Sequence, residues 1–181
     1  MRLTTQIKPH LTRIKALYRS AFPRNERVPF FIIRRMCKAG KAELFAIESS
    51  GGHFGGFAVT ARHGDIVMLS YFAIHPMLRG RGIGSRALQT LMKRYADSRF
   101  ILEIEAVDEP CDNLEVRQKR REFYLKNGLK SAGFTALVFN SALEILTAGE
   151  PVSFEEYREL YRLRRGSRIA GNVTLRSEQK D

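Results

Sequence analysis

Leu11, Ile14, Leu17, Tyr18 and Ala21 recur at helical spacing and predict a helix from about Lys8 to Ala21. Phe22-Pro23-Arg24-Asn25-Glu26-Arg27 breaks that pattern as a turn, and Pro29 suits the first turn of a second helix reaching about Lys38. Short apolar runs then predict strands at Glu43–Glu48, Phe54–Thr60 and Ile66–Ile74. The turn signals Ser49-Ser50-Gly51-Gly52 and His63-Gly64-Asp65 separate them, as in an antiparallel meander. A helix from about Gly84 to Tyr95 and a strand from Phe100 to Ala106 follow. Leu114–Lys126 reads as a charged amphipathic helix closed by Asn127-Gly128. Phe134–Phe139 and Leu143–Leu146 read as a last strand pair. Ser153, with Glu156 three residues on, caps a C-terminal helix that ends near Gly166, and the polar tail from about Ser167 is expected to fray. The pattern predicts an α/β (α+β) domain over residues 1–150, with 151–181 appended to it as a helix and tail.

Composition changes this picture little. Of 181 residues, 44% are apolar, as in a globular chain with a real core. No apolar run approaches the length of a membrane span, and the basic N-terminus lacks the apolar block of a signal peptide. The two cysteines, Cys37 and Cys111, form no metal or redox motif, which suits a reduced cytoplasmic protein without a metal.

Charge changes it more. The formal net charge is +12, which first suggests nucleic acid. No aromatic-basic recognition motif accompanies it, and the acids are concentrated rather than spread. Glu103, Glu105, Asp108, Glu109, Asp112 and Glu115 occur with no intervening base. That run suits a cation, so the basic remainder is assigned to a polyanionic small ligand and to solubility, with nucleic acid and membrane set aside as partners.

Candidate chemistry centres on Ile66–Tyr95, where a strand runs into a loop holding Gly80, Gly82 and Gly84 and then into a helix. Amides at a helix start lack internal partners, the helix dipole adds positive charge, and glycine permits close backbone approach. Arg79, Arg81 and Arg86 crowd the same loop, which argues against a glycine turn with no ligand. Gly82-Ile83-Gly84-Ser85-Arg86-Ala87 fits the dinucleotide pattern, with Glu103 and Glu105 about 20 residues on. A nicotinamide-dependent oxidoreductase is therefore one alternative. Against it, five residues separate the strand end from the glycines, and the preceding strands look like hairpins.

The string Arg79-Gly80-Arg81-Gly82-Ile83-Gly84, after a strand ending Ala73-Ile74-His75-Pro76, resembles motif A of the GNAT superfamily of acyl-CoA N-acyltransferases. Arg120-Arg121-Glu122-Phe123-Tyr124-Leu125-Lys126-Asn127-Gly128-Leu129 resembles that family's later tyrosine-bearing helix. The order of elements is similar over about Ile14–Leu146. The resemblance implies a mixed, mostly antiparallel sheet flanked by helices and acetyl-CoA as acyl donor. Its pyrophosphate would meet the amides around Arg81, Gly82, Ile83, Gly84 and Ser85, and its pantetheine arm would lie along Phe72, Ala73 and Ile74. A primary amine, small-molecule or peptide, would attack the thioester directly. Tyr124 would protonate the departing thiolate, and Glu105, or Glu103 beside it on the same strand face, would drain the amine's proton through water. Two positions depart from the family: Arg117 stands where many relatives have asparagine, and Leu129 replaces a phenylalanine. Phe22–Arg27 falls where the family borders its acceptor. A non-catalytic acyl-CoA or nucleic-acid binding module is the other alternative. The acceptor, the acyl length and the choice between monomer and homodimer stay open.

Overall fold

The β-meander forms where the apolar runs place it. The computed structural model describes residues 1–108, 111–139, 141–165 and 171–176, and the chain divides into two compact units, Met1–Ala96 and Asp97–Asp181. In the first, β1 (Arg2–Thr4), β2 (Ala42–Glu48), β3 (Phe54–His63) and β4 (Ile66–Ile74) pair antiparallel in chain order. Hairpin pairing of β2, β3 and β4 removes the dinucleotide-fold alternative, which needs a parallel βαβ unit.

Helices cover both faces of this meander, which is why β2–β4 read as apolar runs instead of alternating. From α1 (Leu11–Ala21) and α2 (Phe30–Lys38), the side chains of Ile14, Leu17, Tyr18 and Ile33 pack on Leu44, Ala46, Phe57, Val59, Tyr71 and Ala73. On the other face, Ile83 and Ala87 of α3 (Ile83–Arg94) meet Ile47 with Phe72 and Ile74. The period-2 alternation of β4 thus divides its residues between two helical layers.

β1 is too short for its pattern to show in the sequence, and a polar clasp holds it. Glu48 lies opposite Arg2 and accepts hydrogen bonds from Arg2 Nε (2.9 Å) and His10 Nε2 (2.9 Å). The single 3₁₀ turn Lys8–His10 that opens α1 is tied to the sheet by the same carboxylate.

In the second unit, β5 (Arg99–Glu105) pairs with β7 (Ser141–Ala148), β7 with β6 (Lys130–Val138), and β6 with β8 (Val173–Leu175), all antiparallel. α4 (Leu114–Lys126) buries only Tyr124, so ion pairs tether it as well as packing. Arg121 grips Glu144 of β7 at 2.7 and 3.1 Å. Gly128, at φ +93°, ends α4 as expected, with Leu129 N–H bonded back to Tyr124 O. α5 (Phe154–Arg165) starts on the expected capping box: Glu156 N–H donates to Ser153 Oγ, and Ser153 N–H to Glu156 Oε2.

β8 corrects the reading of the tail as frayed. Val173-Thr174-Leu175 pairs with Val138-Leu137-Ala136 because two β-branched strand formers and an apolar third residue meet an open sheet edge. The expected end of α5 at Gly166, and the tail at 167–170 and 177–181, lie outside the described residues. No helix among the described residues is long and apolar enough to cross a membrane.

The Glu48 clasp sets an acid limit. Its carboxyl is held below the ordinary value of 4.5, first by the hydrogen bond to His10 and then by Arg2. Its contribution is therefore complete above that value and lost as pH falls through the lowered one. Glu48→Gln is expected to lower the melting temperature at neutral pH and to flatten the acid side of the melting-temperature profile. An unchanged acid side would show that the clasp carries none of it.

Candidate active site

The site in the first unit is built by fixing the end of β4. Val59 pairs with Tyr71 and Thr60 with Leu69, leaving Ser70 as the extra residue of a β-bulge. Beyond the bulge, β3 approaches so closely that a Cβ on Gly56 would stand 2.3 Å from Ala73 O. His75 N–H donates to Gly55 O at 2.9 Å. Since backbone groups alternate along a strand, those of Phe72 and Ile74 point to the edge opposite β3.

A single 3₁₀ turn, Pro76–Leu78, leads to Arg79, whose Nε donates back to Ile74 O at 3.2 Å. Gly80 (φ +73°) and Gly82 (φ +70°) take the left-handed region that glycine favours. Gly82 is the N-cap of α3, and Arg86 N–H to Gly82 O (3.1 Å) is the first helical bond. The amides of Ile83, Gly84 and Ser85 therefore precede the helical ladder, with no side-chain cap on Gly82 and no acid in the first turn. Arg79, Arg81 and Arg86 are exposed around them, and Arg86 Nη2 donates to Arg81 O at 3.3 Å. Uncapped amides, the helix dipole and three guanidinium groups make an anion cradle.

In the second unit, Tyr124 is buried on α4, and burial pushes its hydroxyl up to about 12 against a small opposing effect of Arg120. Glu105 on β5 is ion-paired to Arg117 (2.8 Å) and Arg120 (3.2 Å) of the same helix. Arg117, the departure from the family's asparagine, also donates to Ala106 O at 3.3 Å. Glu103, two residues along, accepts from the hydroxyls of Tyr157 and Tyr161 on α5, each at 2.6 Å. The rest of the acidic run is partly matched too: Asp108 pairs with Arg176, and Glu115 with Lys119. Glu109 lies outside the described residues. The expected donor-side residues, Phe72 to Ser85, are thus contiguous in one unit, and Tyr124 and Glu105 are neighbours through the α4 arginines in the other.

Sequence reasoning missed Tyr71. Its hydroxyl accepts from Val28 N–H (3.0 Å) and donates to Glu26 O (2.9 Å), while Tyr18 donates to Val28 O (2.8 Å). The turn after α1 is thereby stitched to β4. An aromatic in an apolar run carries no signal of this. The Ser70 bulge and the need for glycine at position 56 were equally hidden, since both depend on register.

The sequence model of the GNAT acetyltransferase domain matches residues 40–130. Among solved structures, a GNAT-family protein from Bacteroides thetaiotaomicron superposes with TM-score 0.76 at 20% identity, covering 92% of this chain and 99% of its own. Spermidine N-acetyltransferase from Vibrio cholerae, in complex with CoA and spermine, gives 0.63 at 12% identity over 81% of this chain and 94% of its own. An aminoglycoside 6'-N-acetyltransferase complexed with coenzyme A gives 0.64 at 17% identity over 84% and 100%. No curated protein sequence matches the chain.

Gly82→Val tests the cradle. A Cβ there would stand 3.1 Å from Arg86 Nη1 on a left-handed backbone. The variant is expected to lose acetyl-CoA binding in calorimetric titration while keeping its far-ultraviolet circular dichroism. Wild-type affinity in that variant would place the donor elsewhere.

Proposed function

Because this chain belongs to the GNAT acetyltransferase family, we propose that it is an N-acetyltransferase moving an acetyl group from acetyl-CoA to a primary amine. The observation that carries this reading is the row of uncapped amides after Gly82, ringed by three arginines. It suits a pyrophosphate, with the pantetheine arm adding to the edge of β4 at Phe72, Ala73 and Ile74. Arg79, Gly80, Arg81, Ile83, Gly84 and Ser85 complete the cradle.

The neutral amine attacks the thioester carbon, a tetrahedral centre forms, and the carbon–sulfur bond breaks as the amide is made. Three proton transfers must balance. The ammonium loses one before attack, and Glu105 accepts it through water, using lone pairs that its two arginine contacts leave over. The thiolate gains one from Tyr124 as the carbon–sulfur bond breaks, and the attacking nitrogen gives up its second proton as the amide forms, which restores the Tyr124 hydroxyl. Burial favours the hydroxyl form of Tyr124 up to about 12, so the proton is in place at neutral pH. The acceptor is a small-molecule or peptide amine, a class that includes the polyamine and aminoglycoside acceptors named for two structural neighbours. We assign residues 1–150 to the acyltransferase domain and 151–181 to a C-terminal addition. The enzyme works in the cytoplasm as a monomer or homodimer, without a metal.

A panel of polyamines, aminoglycosides, amino acids and peptides, read by thiol release, tests the reaction. Acetyl-CoA binding without turnover on any member would favour a non-catalytic acyl-CoA module. With an active acceptor, Tyr124→Phe is expected to lower kcat about 10²–10⁴-fold, with a smaller change in KM for acetyl-CoA. The wild-type rate should show no alkaline limb below about pH 10, where an unshifted tyrosine would lose its proton. Full turnover by the variant would mean that another group protonates the thiolate.

A further inference from the structure

The basic excess is not spread evenly over the first unit. Residues 8–41 carry ten Lys and Arg against one acid, Glu26. The folded chain gathers five of these cations, Lys15, Arg19, Arg34, Arg35 and Lys38, around a groove of about 720 Å³ between α1 and α2. They come from successive turns: Lys15 and Arg19 on α1, then Arg34 or Arg35 and Lys38 on α2. Charges on each helix are thus stepped by about 5.4 Å. None of the five is paired with a carboxylate among the described residues. Glu43, on the neighbouring β2, is taken by Arg94 and the Tyr95 hydroxyl at 2.6 Å each.

The groove also carries rings. Phe31 is 70% exposed, an unusual state for a phenylalanine on a helix that packs against a sheet. Phe30, half-buried beside it, has Lys15 Nζ over its face at 5.7 Å. Arg34 and Arg35 follow Phe30 and Phe31 by one helical turn, so each ring has a cation on the same helix face. The two rings thus sit at one level of the groove, with cations one turn further along α2 and across on α1.

We infer that the α1–α2 groove binds single-stranded nucleic acid, with a base against the exposed Phe31 and phosphates against the five cations. A single strand carries a flat apolar base and a negative charge in every unit, so one base can lie on the exposed ring while the neighbouring phosphates meet the stepped cations. An acidic protein segment fits less well, because each apolar side chain lowered onto the rings displaces a carboxylate from the cations. No linear aromatic-basic motif announces the site, because the fold assembles it from two helices. The inference does not depend on the acyl-transfer reading, since none of these side chains belongs to the glycine-loop cradle.

The test is fluorescence anisotropy of the full chain with labelled 15-residue oligouridylate at several salt concentrations. Five phosphate contacts predict that the logarithm of the binding constant falls with the logarithm of salt at a slope of about −3.5. Phe31→Ala should weaken binding about 5- to 150-fold without changing the slope. Arg34→Gln with Lys38→Gln should reduce the slope to about −2.1. Absence of binding at low salt would overturn the assignment. So would binding that these variants leave intact, since the strand would then lie elsewhere. Tighter binding of polyglutamate of equal charge would overturn it in favour of an acidic protein partner. Parallel titration with acetyl-CoA keeps the two readings separate: its loss in wild type would sink acyl transfer alone, and its retention in the variants shows that they are folded.

Discussion

The proposed donor site depends on backbone amides that the fold leaves without a partner. A serine, threonine or aspartate at the N-cap of α3 would satisfy one of them from its own side chain and so compete with any bound anion. Gly82 offers no side chain, and its left-handed backbone turns the chain into the helix without one. The first turn also lacks an acid that would neutralise the dipole. The supporting features act on the same point. The close contact of Gly56 with Ala73, the bond from His75 to Gly55 and the Arg79 clasp on Ile74 fix where the loop leaves β4. The arginines add charge, but the geometry belongs to the main chain.

The two units handle charge in different ways. Met1–Ala96 contains 17 basic and 4 acidic residues, and Asp97–Asp181 contains 14 and 15. In the second unit, charges are largely internal fastenings. Glu105 and Glu144 hold α4 through Arg117, Arg120 and Arg121, and Glu103 holds α5 through two tyrosine hydroxyls. Carboxylates paired this way orient α4, which buries only Tyr124, and add a polar fastening to α5, which also buries Tyr157, Leu160 and Tyr161. In the first unit, helices α1 and α2 are fastened by apolar packing, and their cations are turned outward.

Local signals reached far into this chain. The helices α1 to α5, the meander and the Ser153 box follow from periodicity, turn residues and capping, each decided within a few residues. The conformation of the glycine loop was legible because its left-handed turns are written in glycine positions. Features that depend on register or on distant partners were not legible. β1 and β8 have three residues each and exist only because β2 and β6 present edges for them. The pairing of Glu105 with Arg117 and Arg120 needs a strand and a helix brought side by side, and nothing in the acidic run distinguishes it from a solvated face. The α1–α2 groove is invisible for the same reason: its rings and cations are spread from Lys15 to Lys38 over two helices.

Tyr71 carries a wider consequence. Its hydroxyl grips the backbone on both sides of Arg27, while its ring packs edge-on against Tyr18 at 4.9 Å and Phe22 at 5.0 Å. The turn at Phe22–Arg27 is thus mechanically one body with the strand that would hold the thioester. If that turn borders the acceptor, as in the family, its main chain cannot be re-aimed without loosening the donor strand. Divergence in acceptor choice would then be confined to exchanging exposed side chains such as Arg24 and Glu26 on an immobile frame.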